Sequence, residues 1–449
     1  MKSKLNDPII KLEKPTPVES IMATLQIATN QNVNPWSLAM SLNEPEYLYW
    51  DKAKFVSAPS PLTPEQAWHV VKFMRSTVYI STPVRAVSLD YFRYLNLPRL
   101  QQFQHTLDLG YAGQLVADRI STEAERQRYV TRGIMEEAIA SSQLEGANTT
   151  RRAAKQMLIE KRAPRNRSEQ MILNNYTAMK FIEERDRTLP FTLRDFTALH
   201  EMLTRDTLED GRDVGRLRDD NDDIVVSTPD SQVVHVAPNP KFYLKELERC
   251  LEYANDKPSD AGFVHPCVKA IILHFWIGYL HPFVDGNGRI ARTMFYWYML
   301  KKGYWGMSYL PLSRIIRKSP VQYGMAYLYS EQDDFDLTYF IDYNTRKISQ
   351  AMREFDQYLA RKRDENVRLN SLAKAKYKLN ERQALLLRYL LKNASATTTI
   401  STHTKVHSVS RLTAQHDLRG LERQGFLRSE KKGRDVLFYA TGQVELLLK

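Results

Sequence analysis

Apolar residues recur at three- and four-residue spacing over most of the chain, which is the pattern of amphipathic helices. This pattern begins at LTPEQAWHVVKFMRSTVYI, where Thr63 and Pro64 supply a helix start, and continues to about Gln415. Residues 1 to about 60 are rich in Asn, Pro and Ser and have weak periodicity, so we expect an irregular arm or a small docking segment there. The chain is therefore predicted to be mainly α-helical.

Two segments have the pattern of β-strands. In DDIVVSTPDSQVVHVAPNP, the apolar stretches Ile224 to Val226 and Val233 to Val236 flank a Thr-Pro-Asp-Ser turn, as they would in a β-hairpin. The second segment is LFYATG near the C-terminus, together with the preceding RSEKKGRD. We therefore expect one hairpin in the middle of the chain and one near its end.

The segment of about 127–146 has the stripe of an amphipathic helix, formed by Val130, Ile134, Ala138 and Ser141. Glu145 lies on the same stripe, and Gly146 follows it as a helix stop, because glycine accepts the left-handed conformation that closes a last turn. A carboxylate at the negative end of a helix dipole is disfavoured by roughly 0.3 kcal/mol or more. We therefore predict that a cation faces Glu145.

The composition suits a soluble protein of two or three domains, since 43% of the 449 residues are hydrophobic and 26% are charged. The longest apolar run, near AIILHFWIGYL, is about half of the roughly 20 residues that span a bilayer, and the N-terminus lacks the apolar core of a signal peptide. We expect no membrane contact and a cytoplasmic location. Cys250 and Cys267 have no metal-ligand spacing and are interpreted as small core residues.

The positive charge is concentrated in the last fifth of the chain. The formal net charge of the whole chain is +12, and residues 361–449 contain 19 Lys and Arg against 8 Asp and Glu, a net of +11. Any nucleic-acid contact is therefore expected in the C-terminal segment, while the rest of the chain is close to neutral.

The densest cluster of reactive groups follows the strongly apolar stretch Val268 to Leu280. The stretch ends at His281, whose near-neutral pKa suits it to accept a proton from a hydroxyl. The turn PFVDGNG comes next and opens a second apolar helix. Asp285 in this turn is a hard oxygen ligand of the kind that a phosphate-bound Mg²⁺ takes.

The glycine-rich part of the turn is predicted to bind phosphate. Gly286, Asn287 and Gly288 leave backbone N–H groups open at a helix N-terminus, where the peptide dipoles favour an anion. Arg289 and Arg292, three residues apart, can both fork onto phosphate oxygens. A base, a metal ligand, an anion cradle and two arginines together predict nucleotide phosphoryl or nucleotidyl transfer.

The segment HPFVDGNGRIAR, His281 to Arg292, resembles the Fic signature HxFx(D/E)GNGRxxR at every fixed position. The resemblance implies a Fic-type helical core with a β-hairpin flap, and transfer of AMP from ATP to a Ser, Thr or Tyr hydroxyl of a target protein. His281 would be the base, and Asp285 would hold Mg²⁺ on the α- and β-phosphates. The amides from Gly286 to Gly288 would cradle phosphate, and Arg289 with Arg292 would bind the polyphosphate.

The same resemblance assigns roles outside the signature. The central hairpin is similar to the flap whose edge pairs with the target's backbone, and its predicted docking residues are Val225, Val226, Val234 and His235. The helix PVQYGMAYLYSEQ resembles the one that closes over adenine, so Tyr323 is a candidate ring contact, and Glu331 stands where an asparagine is common. His274 is interpreted as a satisfied core histidine rather than a metal ligand.

Ser141-x-x-x-Glu145-Gly146 resembles the inhibitory motif (S/T)xxxE(G/N) of the group whose inhibitory helix is N-terminal. The resemblance identifies Arg292 as the cation that faces Glu145. The carboxylate would then occupy the arginine that grips the γ-phosphate, and ATP would bind with its α-phosphate misaligned. Ser141 and Glu145 are therefore predicted to form a brake.

The basic C-terminal segment 376–449 resembles a winged helix-turn-helix. The helix NERQALLLRYLLK opens with Asn380 and Gln383 in capping-box positions. A Thr-rich stretch and a helix with an apolar stripe at Leu412, Leu418 and Leu421 follow, and then a hairpin whose basic tip contains Lys431, Lys432 and Arg434. Such modules contact DNA, contact protein or serve as a structural cap, and all three remain open here.

The predicted organisation has four parts: an N-terminal arm and helical segment (1–110), a Fic core (111–345), a linker helix (346–375) and the winged-helix-like domain (376–449). The predicted partners are ATP, a protein with an acceptor hydroxyl and possible DNA, and a homodimer is a possible assembly. Two alternatives to AMP transfer are a nucleotide-sensing, DNA-binding transcription regulator and removal of AMP from targets.

Overall fold

The computed structural model describes residues 9–112, 123–228, 230–257, 262–375, 377, 379–392, 396–432 and 435–444. The chain divides into two compact units, Met1–Met352 and Arg353–Lys449. Residues 1–110, which the sequence analysis separates from the core, lie in the same unit as residues 111–345. Among the described residues, no helix combines the length and the apolar character needed to cross a membrane.

The first unit is mainly helical, as predicted. Its helices are α1 (Ile21–Asn30), α2 (Pro35–Asn43), α3 (Trp50–Ala53), α4 (Pro64–Ser76), α5 (Pro98–Tyr111), α6 (Glu123–Leu144), α7 (Arg151–Glu160), α8 (Arg167–Glu184), α9 (Leu193–Thr204), α10 (Pro240–Ala254), α11 (Pro266–Leu280), α12 (Asn287–Lys301), α13 (Leu312–Ile316), α14 (Pro320–Gln332) and the start of α15 (Thr338–Ala375). Its strands form two antiparallel hairpins, β1 (Ile80–Arg85) with β2 (Tyr91–Tyr94) and β3 (Val225–Ser227) with β4 (Val233–Val236).

Two expectations for the N-terminal region are wrong, the first of them in part, since residues 9–20 contain no helix or strand. The described part of residues 1–60 contains α1, α2 and α3, which are too short to give a strong periodic signal; the first two are capped by Ser20 and Asn34. The β1–β2 hairpin falls within the stretch predicted as helical. Its inward residues Thr82, Val84 and Phe92 alternate with less buried ones, which is the strand period, but over a window too short to stand out between two helices.

The N-terminal helices pack through one buried arginine. Arg75 of α4 donates to the side chain of Asn43 and to the carbonyl of Leu48, and its guanidinium lies 3.9 Å from the centre of the Tyr47 ring. The Tyr47 hydroxyl in turn donates to Asp336, 2.6 Å away, near the start of α15. These contacts join residues 43–75 to the end of the predicted core, which explains why they belong to one unit.

The central pair α11 and α12 holds the signature loop. Both helices are buried on nearly every face, with Trp276 and Trp297 among their largest buried side chains. A helix that is apolar all round belongs in the middle of a domain. The loop His281 to Gly286 therefore joins two helices whose positions are fixed by packing. Cys250 and Cys267 are free and buried, as the sequence indicates.

The second unit contains the rest of α15 and a small α/β domain. Its further elements are α16 (Glu381–Lys392), β5 (Thr397–Thr398), α17 (Ile400–His407), α18 (Arg411–Arg423), β6 (Leu427–Lys432) and β7 (Asp435–Ala440). The strands form an antiparallel sheet in the order β5-β7-β6. This element order is the one a winged helix-turn-helix would have, but the assignment stays a prediction, as does any contact with DNA.

The core of this domain confirms part of the sequence interpretation. Asn380 and Gln383 exchange main-chain and side-chain hydrogen bonds of 3.0 Å, so the predicted capping box is present. Leu418 and Leu421 are buried, but Leu412 is 77% exposed and does not belong to the stripe. The inward face of α18 is set by Ala414, Leu418 and Leu421, and Leu412 lies on another side of the first turn. Arg434, in the predicted tip, lies outside the described residues.

Candidate active site

His281 ends α11 in the left-handed conformation, with φ 47° and ψ 58°. Its Nδ1 lies 2.6 Å from the carbonyl oxygen of Gly278, which can only accept, so Nδ1 carries the proton. Nε2 has no hydrogen-bond partner among the described residues. Burial, and next the neighbouring His235, lower the pKa of His281 to about 4. The ring is therefore neutral near pH 7 and can accept a proton at Nε2.

The main chain of His281 is held by a buried arginine that sequence reasoning missed. Arg218 donates from Nε to the carbonyl of His281 at 2.6 Å and from Nη2 to the carbonyl of Leu280 at 3.2 Å. Its own N–H donates to the carbonyl of Pro282 at 3.0 Å. Three consecutive carbonyls are thus bonded to one residue, which fixes the direction of the His281 side chain.

The side chain of Asn287 closes the signature turn. It accepts from the N–H of Phe283 at 3.0 Å and donates to the carbonyl of the same residue at 2.8 Å. Gly286 has φ 85°, and a Cβ there would lie 2.9 Å from a methyl carbon of Thr204. A side chain at this position would be both strained and crowded, so the turn requires glycine.

His200 supports the turn from α9 and was also missed. Its ring stacks on Phe283 with a centroid distance of 3.6 Å and an interplanar angle of 2°. Nε2 donates to the carbonyl of Asp285 at 2.8 Å, and Nδ1 accepts from the N–H of Gly215 at 3.1 Å. Burial lowers the pKa of His200 to about 4, so the neutral ring keeps one donor and one acceptor in place.

The two signature arginines have different surroundings. Arg289 is 1% exposed and donates from Nη1 to the carbonyl of Leu203 at 2.7 Å, so one of its groups is already committed to the scaffold. Arg292 donates from Nε to the hydroxyl of Ser141 at 2.9 Å and from Nη2 to its carbonyl at 3.2 Å. Arg292 Nη2 also lies 2.8 Å from Oε1 of Glu145. The predicted Glu145–Arg292 ion pair is therefore present.

Glu145 follows the last residue of α6, and Gly146 closes the turn with φ 93°. Burial alone would raise the pKa of Glu145, but Arg292 and then Arg289 outweigh it and lower that pKa. The carboxylate lies close to Gly288, where an added Cβ would overlap Oε1. Glu145 thus reaches both the arginine and the start of α12, where the anion cradle is predicted.

Asp285 lies at the edge of this arrangement, with its side chain 47% exposed. Its Oδ1 accepts from the N–H of Gly286 at 2.5 Å. The described residues hold no group of three or more His, Cys, Asp or Glu that could bind a metal ion. One exposed carboxylate at a helix N-terminus fits a Mg²⁺ ion whose other ligands would be phosphate oxygens and water.

A cavity of about 270 Å³ brings most of the predicted site residues together. Its lining includes His281, Gly288, Arg292, Tyr323, Glu145, Val226, Val234 and His235. Asp285, Gly286, Asn287, Arg289, Ser141 and Val225 lie outside this lining. The cavity also has walls that sequence reasoning did not single out, namely Gly278, Pro320, Gly324, Tyr327 and Leu328.

His235 is bonded inward on both sides of its ring. Nδ1 lies 2.7 Å from Oε2 of Glu331 on α14, and Nε2 lies 2.9 Å from the carbonyl of Tyr279. Both partners are acceptors, so the ring carries two protons. Burial would lower the pKa of His235, but Glu331 outweighs it and raises that pKa. The ring of His235 lies 6.1 Å from that of His281, and its charge lowers the pKa of His281. The side chain of His235 therefore points inward and is not free to contact a target, contrary to its predicted docking role.

Tyr323 lies on α14 and faces the cavity. Its hydroxyl is 2.8 Å from Nε2 of His274, and burial lowers the pKa of His274 to about 3. The second nitrogen of His274 has no partner among the described residues, so this buried histidine is half satisfied. The sequence could not reveal this pair, because its members are 49 residues apart.

Comparison with known proteins places this site in a family. Residues 190–299, which include the loop and both helices around it, match the Fic/DOC family. The chain carries a Fic domain. The signature His281 to Arg292 lies within the matched residues. The lining of the cavity includes residues inside this range and others outside it.

Curated relatives match a short part of the chain. One is the protein adenylyltransferase Fic of Drosophila grimshawi, 31% identical over 70 residues, which are 16% of this chain and 14% of that protein. Another is the protein adenylyltransferase fic-1 of Caenorhabditis briggsae, 34% identical over 65 residues, or 14% of this chain and 12% of that protein. The chain therefore matches about one seventh of the length of these relatives.

A solved structure shares the fold over a much longer stretch. The crystal structure of a Fic family protein from Desulfovibrio desulfuricans is similar with a TM-score of 0.52 and 20% identity, over 78% of this chain and 98% of that one. The mainly helical Fic-type fold is thereby confirmed.

Proposed function

We propose that the chain transfers AMP from ATP to a Ser, Thr or Tyr hydroxyl of a target protein. One observation carries the proposal: His281, neutral and with Nε2 free, shares a cavity with Arg292 and with the glycine-rich start of α12. A proton acceptor beside a phosphate site is what attack by a hydroxyl requires. The naming of the curated relatives as protein adenylyltransferases agrees with it.

The reaction forms one bond and breaks one. The target hydroxyl oxygen attacks the α-phosphorus of ATP, the bond between this phosphorus and the bridging oxygen breaks, and pyrophosphate leaves. The hydroxyl proton goes to Nε2 of His281, whose imidazolium keeps its Nδ1–H on the carbonyl of Gly278. Mg²⁺ held by Asp285 would neutralise charge on the α- and β-phosphates. Arg292 and the amides at the start of α12 would bind the remaining phosphate charge.

We further propose that Glu145 is a brake on this reaction. Its carboxylate takes the guanidinium nitrogen of Arg292 that a phosphate oxygen would otherwise take. A phosphate group must therefore compete with a charge-assisted hydrogen bond at a site largely shielded from water. Release of the pair would be the regulated step.

Labelled ATP separates nucleotidyl transfer from phosphoryl transfer. We expect the Glu145→Gln variant to incorporate label into protein from [α-³²P]ATP with Mg²⁺, and none from [γ-³²P]ATP, because the γ-phosphate leaves within pyrophosphate. Equal labelling from both nucleotides would mean a different reaction. Label from the γ-position alone would mean phosphorylation and would contradict the proposal.

The imidazolium of His235 gives a pH prediction. Its charge lowers the pKa of His281, so that base is neutral, and active, down to a lower pH. In a Glu145→Gln background, we expect His235→Gln to move the acid limb of kcat/KM to higher pH, because the pKa of His281 rises when the neighbouring charge is lost. The measurement is the rate of α-label transfer between about pH 3.5 and 9 on a roughly half-unit grid, a range that includes the low pKa of His281.

Glu331→Gln is the matched variant for this effect. It removes the carboxylate that keeps His235 doubly protonated, so the acid limb is expected to move in the same direction. An acid limb that stays in place in both variants, or moves to lower pH, would show that His235 does not tune the base.

A further inference from the structure

One edge of the flap hairpin is covered by the chain's own N-terminal segment. The N–H of Ile10 donates to the carbonyl of Val233 at 2.9 Å, on the side of β4 that faces away from β3. Residues 9–12 have no regular secondary structure of their own. The contact is nevertheless of the kind that an added strand makes, a main-chain hydrogen bond to the edge of a sheet.

The side chain of Gln332 extends this edge. Its Nε2 donates to the carbonyl of Ile10 at 2.7 Å, and its Oε1 accepts from the N–H of Leu12 at 2.9 Å. Residues two apart in an extended chain direct their main-chain groups to the same side. The carbonyl of Val233 and the side-chain amide of Gln332 therefore form one continuous edge. The amide donates to Ile10 and accepts from Leu12, as a main-chain peptide group of a neighbouring strand would.

The side chains of the bound segment alternate in the way an edge strand requires. Ile10 and Leu12 are half-buried, whereas Ile9, Lys11 and Glu13 are exposed. The hydrogen bonds to β4 and to Gln332 use main-chain groups of the segment alone. This edge therefore suits an extended peptide with apolar residues at alternate positions, whatever its other side chains are.

This edge is close to the reacting groups. The strand that accepts from Ile10 also carries Val234 and His235, which line the cavity with His281. Gln332 directly follows Glu331, which binds His235. A peptide on this edge thus contacts the same two elements that form the wall of the cavity.

We propose that residues 9–12 are a tethered strand that fills this edge, and that an extended segment of a target protein must displace it before modification. The inference rests on the proposed function, because it assigns the occupant of the edge to the target of that reaction. A short tether gives an effective concentration of about 1 mM, so a tethered segment whose own Kd for the edge is about 0.1 mM weakens target binding about tenfold.

A peptide in trans tests the inference without any chemistry. A chain that lacks residues 1–12 keeps Glu13, whose carbonyl accepts from Tyr49 at 2.7 Å and whose carboxylate pairs with Lys54. We expect a fluorescently labelled LNDPIIKL peptide to bind this shortened chain, by anisotropy, at least about tenfold more tightly than it binds the full-length chain, where the edge is filled.

Matched peptides and one variant locate the contact. A peptide with Ile10→Pro lacks the N–H that binds Val233 and is expected to bind about tenfold more weakly, whereas Lys11→Pro keeps that N–H and is the control. Gln332→Ala in the shortened chain is expected to weaken binding about tenfold as well. Excess unlabelled peptide is expected to inhibit α-label transfer to the acceptor proteins of a cell extract.

Several results would overturn the inference. They are a folded shortened chain that fails to bind the peptide, a full-length chain that binds it equally well, and unchanged label transfer at saturating peptide. If the shortened chain shows no cooperative unfolding, and so is not folded, the peptide test is replaced by amide hydrogen exchange of the full-length Gln332→Ala variant. Exchange at Ile10 and Leu12 is then expected to rise about tenfold, and unchanged exchange is contradictory.

The peptide readout is separate from the proposed reaction. Peptide binding with no α-label transfer would remove AMP transfer as the function and leave the peptide-binding edge in place. Transfer without peptide binding would keep the function and remove the tethered strand.

Discussion

Replacement of His281 by Ala is expected to reduce α-label transfer by about a hundredfold to ten-thousandfold, the range that general-base catalysis contributes. The effect follows from the loss of Nε2, which is the one imidazole nitrogen in the described lining of the cavity that is free to accept a proton. The alanine removes no hydrogen bond that the main chain makes to Arg218. ATP binding is therefore expected to survive while transfer is lost.

The comparison is made in a Glu145→Gln background, with initial rates of α-label incorporation and, separately, calorimetric binding of ATP. His416→Ala is the matched control, because His416 is exposed on α18 in the other unit. Transfer at an undiminished rate by the His281→Ala variant would remove this histidine from the mechanism. Loss of both transfer and nucleotide binding would instead assign it to binding.

Glu145→Gln is expected to raise the transfer rate by about tenfold to a hundredfold. A partly shielded ion pair of about 1 to 3 kcal/mol must otherwise be broken before phosphate can reach Arg292, and each 1.36 kcal/mol is about a factor of ten. Glutamine keeps the size of the side chain and removes its charge. The same change is expected to tighten ATP binding, because the carboxylate no longer repels the phosphates.

Glu136→Gln on the same helix is the control for this prediction. Glu136 pairs with Arg151 on the neighbouring α7 and makes no contact with Arg292. A rise in rate that is shared by both variants would indicate general loosening of α6 rather than release of the arginine. A Glu145→Gln chain no faster than the unchanged chain would contradict the brake.

The signature loop could be predicted because its geometry is local. Asn287 closes the turn on Phe283, four residues earlier, and the loop follows an apolar helix that ends at His281. The Glu145–Arg292 pair spans 147 residues, yet it was predictable because a carboxylate at a helix C-terminus requires a cation and the family motif names it.

The supporting contacts could not be predicted, because each joins elements that are distant in the chain. His200 stacks on Phe283 from α9, and Glu331 bonds to His235 across 96 residues. Ile10 reaches Gln332 across 322 residues, from a segment whose composition predicts an irregular arm. None of these pairs has a periodic or compositional signal, since each depends on how helices pack after they form.

The flap shows both cases in one element. Its two strands follow from two short apolar stretches on either side of a turn, and Val225 pairs with Val236 as an antiparallel hairpin would place them. The register shifts between Val226 and Ser227, which no pattern announces. That irregularity lies in the strand next to Val234 and His235, so the inward direction of His235 becomes visible in the folded chain alone.

The central claim is that the chain transfers AMP with His281 as the base, and that Glu145 restrains this reaction. Rates of α-label incorporation by four chains test it most directly: the unchanged chain, Glu145→Gln, His281→Ala and the double variant. The account predicts that Glu145→Gln is fastest, that the unchanged chain is at least about tenfold slower, and that both chains without His281 stay at background. A double variant that labels protein as fast as Glu145→Gln would contradict it.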